Sequence, residues 1–408
     1  MTTGHNQNRA IGSIFMRRLQ SQMTSRERLL TALDGHQPDR LPVTTHHLMP
    51  YFLDTYMNGI SEGGFFEHFG LDPVTWVWNQ KPNAAVGDYW TTIDQGVIGG
   101  GMRWIASDSW RIEAAEITGA RNKATRFNIV TPDETLTMVL GESSQSVWVV
   151  EKLIKEKSQI ELIEKYAPRT LCDVDAVNRR AIDVAGRGIL RGSVPGFEIY
   201  GQPGCWQDAA VLYGIEQLIM ETFDDPQWVH EFLQTLKHRK LANVASMKGA
   251  QFDLIEHGGG DASSTVISPK IFAEFVAPYD SEIIAEAHRS GLKVVYHTCG
   301  GMMPILEQIA DMGPDAMETF TPPSLGGDTD LKGAKSRIGN RVCMIGGFDQ
   351  ARFFQGCTAD KTRRAVRECF EEAGEGGGFI LAPSDHFFDA DVELIKTFAE
   401  EATACHYG

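Results

Sequence analysis

Short apolar, β-branched runs alternate with longer amphipathic stretches through most of this chain, and that alternation limits the fold more than any other feature. Val294-Val295-Tyr296 and Phe379-Ile380-Leu381 are typical of buried strands, while the stretches between such runs have the length and periodicity of helices. Regular alternation of this kind indicates repeated βαβ units around a parallel sheet. About seven strands can be placed, close to the eight of a (β/α)8 TIM barrel; they start near residues 41, 188, 252, 293, 315, 341 and 378.

A doubly wound open sheet is the competing α/β architecture. Its dinucleotide-binding form carries a Gly-x-Gly-x-x-Gly motif directly after the first strand. No such motif follows the first predicted strand here. The predicted fold class is therefore the α/β TIM barrel.

Two parts of the chain depart from the alternation. Residues 1–22 lack a clear helix or strand pattern, so we expect a flexible N-terminal extension followed by a barrel over residues 23–408. Between about residues 89 and 150 the runs become short and alternating, and residues 125–130 and 135–140 flank a turn that contains Pro-Asp, which predicts a β-hairpin. We interpret this region as a β-rich insertion laid against the barrel.

Composition indicates the class of protein and excludes some partners. The 408 residues are 42% hydrophobic, as in an ordinary globular protein with a large core. A formal net charge of -16 argues against binding to nucleic acid or to an anionic membrane. No apolar run approaches the roughly 18 residues of a membrane helix, and the seven scattered cysteines are typical of reduced thiols. We expect a cytoplasmic protein.

His297 and Cys299 follow the apolar run that begins at Val294 and precede a Gly-Gly pair. Residues two apart in an extended strand point to the same side, so these two side chains can converge on one point. An imidazole nitrogen and a thiolate sulfur suit Zn²⁺. A small buried thiol is the ordinary alternative for such a cysteine, and two ligands alone do not make a metal site.

The ends of the other predicted strands supply further reactive side chains, because the carboxyl ends of parallel strands share one edge of a barrel. These side chains are Glu256, His257, Glu318, Asp385 and His386. A catalytic zinc usually has three protein ligands and an open position, and Asp385 or His386 is the expected third ligand. Glu256 and Glu318 are candidates for a general base, a further ligand or the partner of a ligand. His257 could act beside them or be a core histidine.

Several ring-bearing residues near these strand ends are candidates for substrate contact. They are His46, Trp206, Phe348 and Phe387. His46 is followed by His47, and adjacent strand residues face opposite ways, so at most one of the two can face a pocket. Core packing is the ordinary role of the other three, although Phe387 directly follows the Asp385-His386 pair and could form an apolar wall.

At this point the chain resembles a known family. It is similar to the uroporphyrinogen decarboxylase superfamily, on the branch that includes the corrinoid-dependent methyltransferases, from about residue 25 to the C-terminus. The landmarks in chain order are Arg28-Leu29-Leu30, Pro38-Asp39-Arg40-Leu41-Pro42-Val43, Ile267-Ser268-Pro269, His297-Thr298-Cys299-Gly300-Gly301, Ile345-Gly346-Gly347-Phe348-Asp349 and Gly377-Gly378-Phe379-Ile380-Leu381-Ala382-Pro383-Ser384.

The resemblance implies a (β/α)8 barrel and, for the methyltransferase branch, a zinc held by His-x-Cys and a distant cysteine. His297 and Cys299 match the first part. Asp385 stands where the distant cysteine is expected, with His386 beside it. A His/Cys/Asp ligand set is harder than His/Cys/Cys, so the metal should be a stronger Lewis acid.

The activity that the resemblance implies is zinc-dependent methyl transfer with a corrinoid (methylcobalamin) cofactor. Zinc could activate the ether oxygen of a methoxylated donor, or bind a thiol acceptor as thiolate; the harder ligand set favours the first, an O-demethylase type of reaction. No cobalamin-binding Asp-x-His-x-x-Gly segment is present, so the corrinoid is expected on a separate protein. A small-molecule methyl donor or acceptor would be the other partner, and a homodimer is one assembly that the sequence allows.

Two other functions stay open. One is a metal-independent decarboxylase of the uroporphyrinogen decarboxylase type, although the arginine-rich loop with which that enzyme binds porphyrinogen carboxylates has no counterpart after the first predicted strand. The other is a non-catalytic barrel that binds a small ligand at its mouth.

Overall fold

The computed structural model of the chain describes residues 23–408 apart from positions 46, 79 and 198. The predicted extension over residues 1–22 and the predicted substrate contact His46 therefore lie outside the described residues. Within that described part, the helices lack the combined length and apolar character that a membrane span requires.

Strands and helices are numbered here along the chain. The strands are β1 (Val74–Trp76), β2 (Gln80–Lys81), β3 (Tyr89–Thr92), β4 (Arg103–Ala106), β5 (Arg111–Glu116), β6 (Lys123–Val130), β7 (Thr135–Glu142), β8 (Val147–Glu151), β9 (Leu171–Cys172), β10 (Ile189–Ser193), β11 (Leu254–Gly258), β12 (Val294–His297), β13 (Ala316–Thr319), β14 (Cys343–Phe348) and β15 (Phe379–Pro383).

The helices follow the same numbering. They are α1 (Ser25–Leu33), α2 (Pro50–Tyr56), α3 (Glu62–Phe69), α4 (Ile160–Tyr166), α5 (Val174–Val184), α6 (Cys205–Tyr213), α7 (Ile215–Asp224), α8 (Pro226–Ser246), α9 (Pro269–Ile271), α10 (Ala277–Arg289), α11 (Leu306–Asp311), α12 (Leu331–Ile338), α13 (Gln350–Phe353), α14 (Ala359–Ala373) and α15 (Val392–Ala404). A π-helical turn, Phe272–Val276, joins α9 to α10.

Seven parallel strands form the main sheet, in the order β1-β10-β11-β12-β13-β14-β15. Val43 closes the ring between its two edges. It forms a parallel bridge with Leu381 of β15, and its carbonyl accepts a hydrogen bond of 2.7 Å from the amide of Asp72, two residues before β1. Helices lie between successive strands of this sheet, as in a (β/α)8 barrel. The predicted α/β barrel is confirmed, with its eighth position reduced to one bridge residue.

The position predicted for the first strand is wrong. Near residue 41 the chain forms only the Val43 bridge, whereas β1 lies at residues 74–76, where no strand is predicted. Pro42 has no amide hydrogen and cannot extend a ladder there. β1 itself is a three-residue strand that directly follows Pro73, which is too short for an alternation pattern to reveal.

The β-rich region consists of two antiparallel units. β3 and β4 form a hairpin, and β5 to β8 form a four-stranded sheet in sequence order. β6 and β7 pair from Val130 opposite Thr135 onward, which is the hairpin predicted from the sequence. Trp110 packs edge-on against Phe197 with ring centroids 5.9 Å apart, so this region contacts the loop that follows β10.

A buried ion network supports the closure of the barrel. Asp72 is fully buried, and its carboxylate accepts hydrogen bonds from Arg28 of α1 at 2.6 Å and from the amide of Val43 at 3.0 Å. Arg40 adds a second guanidinium at 3.1 Å. One carboxylate therefore joins α1, the bridge residue and the start of β1.

We expect Asp72→Ala to lower the free energy of unfolding by about 3–5 kcal/mol, because it leaves the buried guanidinium of Arg28 without this partner. Urea unfolding followed by far-UV circular dichroism measures the change. The matched control is Asp360→Ala, whose side chain is 91% exposed and should change stability by less than about 0.5 kcal/mol. A loss below about 1 kcal/mol for Asp72→Ala would contradict the role assigned to the network.

Candidate active site

His297 and Cys299 converge at the carboxyl end of β12. His297 is the last residue of the strand, and its Nε2 lies 3.0 Å from the Sγ of Cys299. The alternation of the strand continues into the loop for one further pair, which places both side chains on one side of the chain. The imidazole retains 14% of its surface exposed, so the pair is accessible from the barrel mouth.

Glu318 orients the imidazole from the neighbouring strand. It lies opposite His297 in the register of β12 and β13, and its Oε1 is 3.0 Å from Nδ1 of His297. A histidine whose Nδ1 bonds a carboxylate presents Nε2 as its ligand nitrogen, which is the usual arrangement around a protein-bound metal. The ring is therefore held with Nε2 toward Cys299.

Arg191 joins the two glutamates of the site and was not singled out from the sequence. It lies in β10, is 3% exposed, and donates hydrogen bonds of 2.8 Å to Glu318 and 2.5 Å to Glu256. Its guanidinium also lies 4.4 Å from the centre of the Trp76 ring. The sequence does contain a signal for Arg191, because it is a charged residue inside an otherwise apolar strand. Such a residue is seldom fully buried without an ion-pair partner.

Ligand atoms of Glu256, His297 and Glu318 all lie within 4.8 Å of one another, close enough to hold a cation. Arg191 already supplies positive charge to both of these carboxylates. A metal ion bound between them would lie close to the guanidinium in a buried site. The effective dielectric constant there is low, so the two cations would repel each other strongly. We therefore interpret Arg191 and the two glutamates as an ion triad that supports His297.

Asp385 and His386 follow β15, on the other side of the barrel mouth. The Asp385 carboxylate lies close enough to Cys299 to raise the pKa of its thiol. His386 contacts Asp385 instead, with its Nδ1 2.8 Å from Oδ1, and its side chain is 38% exposed. Of the two predicted alternatives for a third ligand, Asp385 is the one whose charge raises the pKa of the Cys299 thiol.

The environment favours the protonated forms of the histidine and the cysteine. Burial raises the pKa of the Cys299 thiol, and Asp385 raises it further, while His297 opposes the change. Burial tends to lower the pKa of His297, but the interactions with Cys299 and Glu318 outweigh it and raise that pKa. A metal bound by these two side chains would displace protons, so its affinity should increase with pH.

His257 lies on the opposite side of β11 from Glu256, because adjacent residues of a strand face opposite ways. Its Nε2 is 3.0 Å from Oδ1 of Asp280 in α10, and both side chains are buried. Tyr296 donates a hydrogen bond of 3.0 Å to the other oxygen of Asp280. The structure therefore places His257 between the sheet and the helices rather than beside Glu256 and Glu318.

The three described residues predicted to contact substrate are buried. Trp206 is 1% exposed and donates its indole hydrogen to the Asp261 carbonyl at 3.1 Å. Phe348 is fully buried and packs against Phe398, with ring centroids 4.5 Å apart. Phe387 is 7% exposed and contacts other core phenylalanines.

A different aromatic borders the ion triad. Trp76, at the end of β1, contacts Arg191, and the ring of His47 stacks on it with centroids 4.4 Å apart. Trp78 stacks on Trp76 at 5.5 Å. These stacked rings are not predicted from the sequence, because the strand that positions Trp76, β1, is itself not predicted.

Comparisons with known proteins agree with this architecture. Residues 125–404 match the family model described as uroporphyrinogen decarboxylase (URO-D). The uroporphyrinogen decarboxylase of Psychromonas ingrahamii is 28% identical over 203 residues, covering 47% of this chain and 53% of that protein. That of Hydrogenovibrio crunogenus is 28% identical over 210 residues, covering 48% and 54%. The chain thus spans about half the length of these curated relatives.

A solved structure of a methyltransferase from Methanosarcina mazei superposes on 93% of this chain and 98% of its own, with a TM-score of 0.60. The two sequences are 16% identical. The likeness extends along nearly the whole of both chains, and it establishes a shared fold.

Proposed function

Because this chain belongs to the uroporphyrinogen decarboxylase family, we propose that it uses that barrel as a zinc-dependent methyltransferase. It would transfer a methyl group between a small methoxylated substrate and a separate corrinoid protein. The convergence of His297 Nε2 and Cys299 Sγ at 3.0 Å is the observation that carries the proposal. A structural neighbour over nearly the whole chain is named a methyltransferase.

The side chains at the mouth fit a zinc ion in chemistry and in support. His297, Cys299 and Asp385 offer nitrogen, sulfur and oxygen, all of which zinc accepts. Glu318 bonds the nitrogen of His297 that would not bind the metal, which fixes the ring and increases its basicity. When bound, zinc supplies a Lewis acid that polarises an ether oxygen of the substrate.

The rest of the triad controls charge and position. Arg191 forms ion pairs with both Glu256 and Glu318, so the charge of the two buried carboxylates is compensated without a second metal. Glu318 can then accept the hydrogen bond from His297 Nδ1 in a fixed geometry. We assign Glu318 and Arg191 as positioning residues, and Glu256 as the carboxylate that holds the other side of the guanidinium.

The donor set favours an oxygen-bound methyl group over a thiol acceptor. An aspartate in place of a second cysteine leaves more positive charge on the metal, which favours activation of an ether oxygen. A methylcobalamin:thiol methyltransferase is the alternative within the same chemistry. The two differ in whether the corrinoid protein gains or loses the methyl group.

Removal of the metal tests the proposal. Protein dialysed against a zinc chelator should lose transfer of a methyl group from an aryl methyl ether to a cobalt(I) corrinoid protein by more than about 100-fold, because several kcal/mol of charge stabilisation are lost. Stoichiometric Zn²⁺ should restore the rate and Mg²⁺ should not, since Mg²⁺ prefers oxygen ligands. Unchanged turnover in metal-free protein, checked by elemental analysis, would refute the zinc-dependent mechanism.

A metal-independent decarboxylase is the second candidate, because the curated relatives are named uroporphyrinogen decarboxylases. Such an enzyme must bind substrate carboxylates with cations. Arg191, the guanidinium at the site, is already bonded to two glutamates. Release of CO₂ from a polycarboxylated substrate by metal-free protein would favour this candidate over methyl transfer.

A further inference from the structure

We propose that a cleft beside the barrel mouth binds an aromatic carboxylate. The cleft lies between the β3–β4 hairpin and the loop that follows β10, and its volume is about 810 Å³. That volume lies within the range of roughly 300–1,000 Å³ found for small-molecule sites. Binding in this cleft would require neither zinc nor methyl transfer.

Five aromatic side chains line the cleft. They are Trp78, Trp90, Trp104, Phe197 and Tyr200. Trp78 is 63% exposed, so its indole presents a large apolar surface to solvent. Tyr200 is fixed by a hydrogen bond of 2.8 Å to the Val147 carbonyl, and Phe197 packs against Trp110. Rigid aromatic walls of this kind suit a planar ring, which gains stacking contacts on its faces.

Two guanidinium groups give the cleft its charge preference. Arg103 of β4 and Arg179 of α5 both line it, and neither has an ion-pair partner within 4.0 Å among the described residues. Arg103 lies over the Trp90 ring at 4.5 Å, which fixes its position. Asp173 also lines the cleft, but its carboxylate accepts a hydrogen bond from the Ala176 amide as the cap of α5.

The sign of this charge is opposite to that of the protein as a whole. A chain with a formal net charge of -16 repels anions in general, whereas the described lining of the cleft has two arginines and one aspartate and so a net positive charge. A neutral aromatic ligand would gain no charge-assisted hydrogen bond from either guanidinium group. An aromatic ring with one carboxylate satisfies the wall and the charge together, because arginine binds carboxylates in a bidentate geometry.

The cleft lies at the same end of the barrel as the His297–Cys299 pair but shares no side chain with it. Trp78 is stacked on Trp76, and Trp76 contacts Arg191 of the ion triad. The loop that carries Phe197 and Tyr200 begins at the carboxyl end of β10, the strand of Arg191. An aromatic acid held in the cleft therefore lies beside the candidate active site, outside the ligand set proposed for the metal.

Isothermal titration with 2-naphthoate tests the inference, and quenching of tryptophan fluorescence gives a second readout. Two matched probes separate the contributions: 2-naphthalenemethanol has the ring without the charge, and cyclohexanecarboxylate has the charge without the ring. We expect 2-naphthoate to bind at least about tenfold more tightly than either probe, since each lacks one class of contact.

Variants locate the binding. Arg103→Gln and Arg179→Gln should each weaken 2-naphthoate binding by about tenfold, the effect of losing a charge-assisted hydrogen bond, and should leave 2-naphthalenemethanol unchanged. Arg364→Gln, an exposed arginine of α14, is the matched control and should have no effect. Cys299→Ser should retain full binding, which separates this inference from the metal site. Equal binding of the neutral probe, or no effect of both cleft arginines, would overturn the assignment.

Discussion

Cys299→Ser protein is expected to purify without zinc and to have no measurable methyl transfer. Loss of a hydrogen-bond partner of a ligand costs roughly 10–100-fold in metal affinity, and loss of the thiolate itself should cost more. Zinc content by elemental analysis measures the first effect, and transfer to a corrinoid protein the second. Cys357→Ser is the matched control. That cysteine is half-buried and lies outside the candidate site, so the variant protein should retain the metal.

The zinc content of two further variants identifies the third ligand. Asp385→Ala should lose zinc, because its carboxylate lies close enough to Cys299 to raise the pKa of the thiol. His386→Ala should retain most of it, because His386 contacts Asp385 and is more exposed. Zinc loss in His386→Ala with retention in Asp385→Ala would assign the ligand to the histidine. Full zinc occupancy in Cys299→Ser would rule out the site altogether.

Arg191→Met should destabilise the protein by about 3–5 kcal/mol, because it leaves the buried carboxylates of Glu256 and Glu318 without their shared cation. Methionine is unbranched and has no charge, so the change removes the ion triad without introducing a new polar group. Urea unfolding of the metal-free protein measures the effect independently of zinc binding.

Two controls make that result specific. Arg367→Met removes an ion pair with Glu401 in which the arginine is 61% exposed, and it should cost less than about 1 kcal/mol. Adding Glu256→Gln and Glu318→Gln to Arg191→Met should recover part of the loss, since the carboxylates then no longer require a cation. A stability loss for Arg191→Met no larger than that for Arg367→Met would show that the triad is not a buried charge cluster.

Some of the site could be predicted because strand geometry alone determines it. The spacing of His297 and Cys299 was sufficient to place them on one side of a strand, and the register then brings Glu318 alongside. Adjacent strand residues face opposite ways, which separates Glu256 from His257, but the residue pattern does not indicate which of the two faces inward. That choice depends on which side of β11 the helices cover.

Other features depended on closure of the barrel. Arg191 lies within a strand whose residue pattern predicts a buried core element. Its ion-pair partners belong to β11 and β13, which are distant in sequence. Trp206, Phe348 and Phe387 lie close to strand ends, but the packing of helices against the sheet buries them. The hydrophobic periodicity of one segment does not show which of its apolar side chains another segment covers.

The single bridge at Val43 makes the barrel unequal around its circumference. Each of the other junctions is a ladder of several backbone hydrogen bonds, whereas this one consists of the bonds on either side of Val43 and the side chain of Asp72. The free energy of local opening follows the density of such contacts. Sub-global opening should therefore begin at this seam while the seven-stranded sheet remains folded.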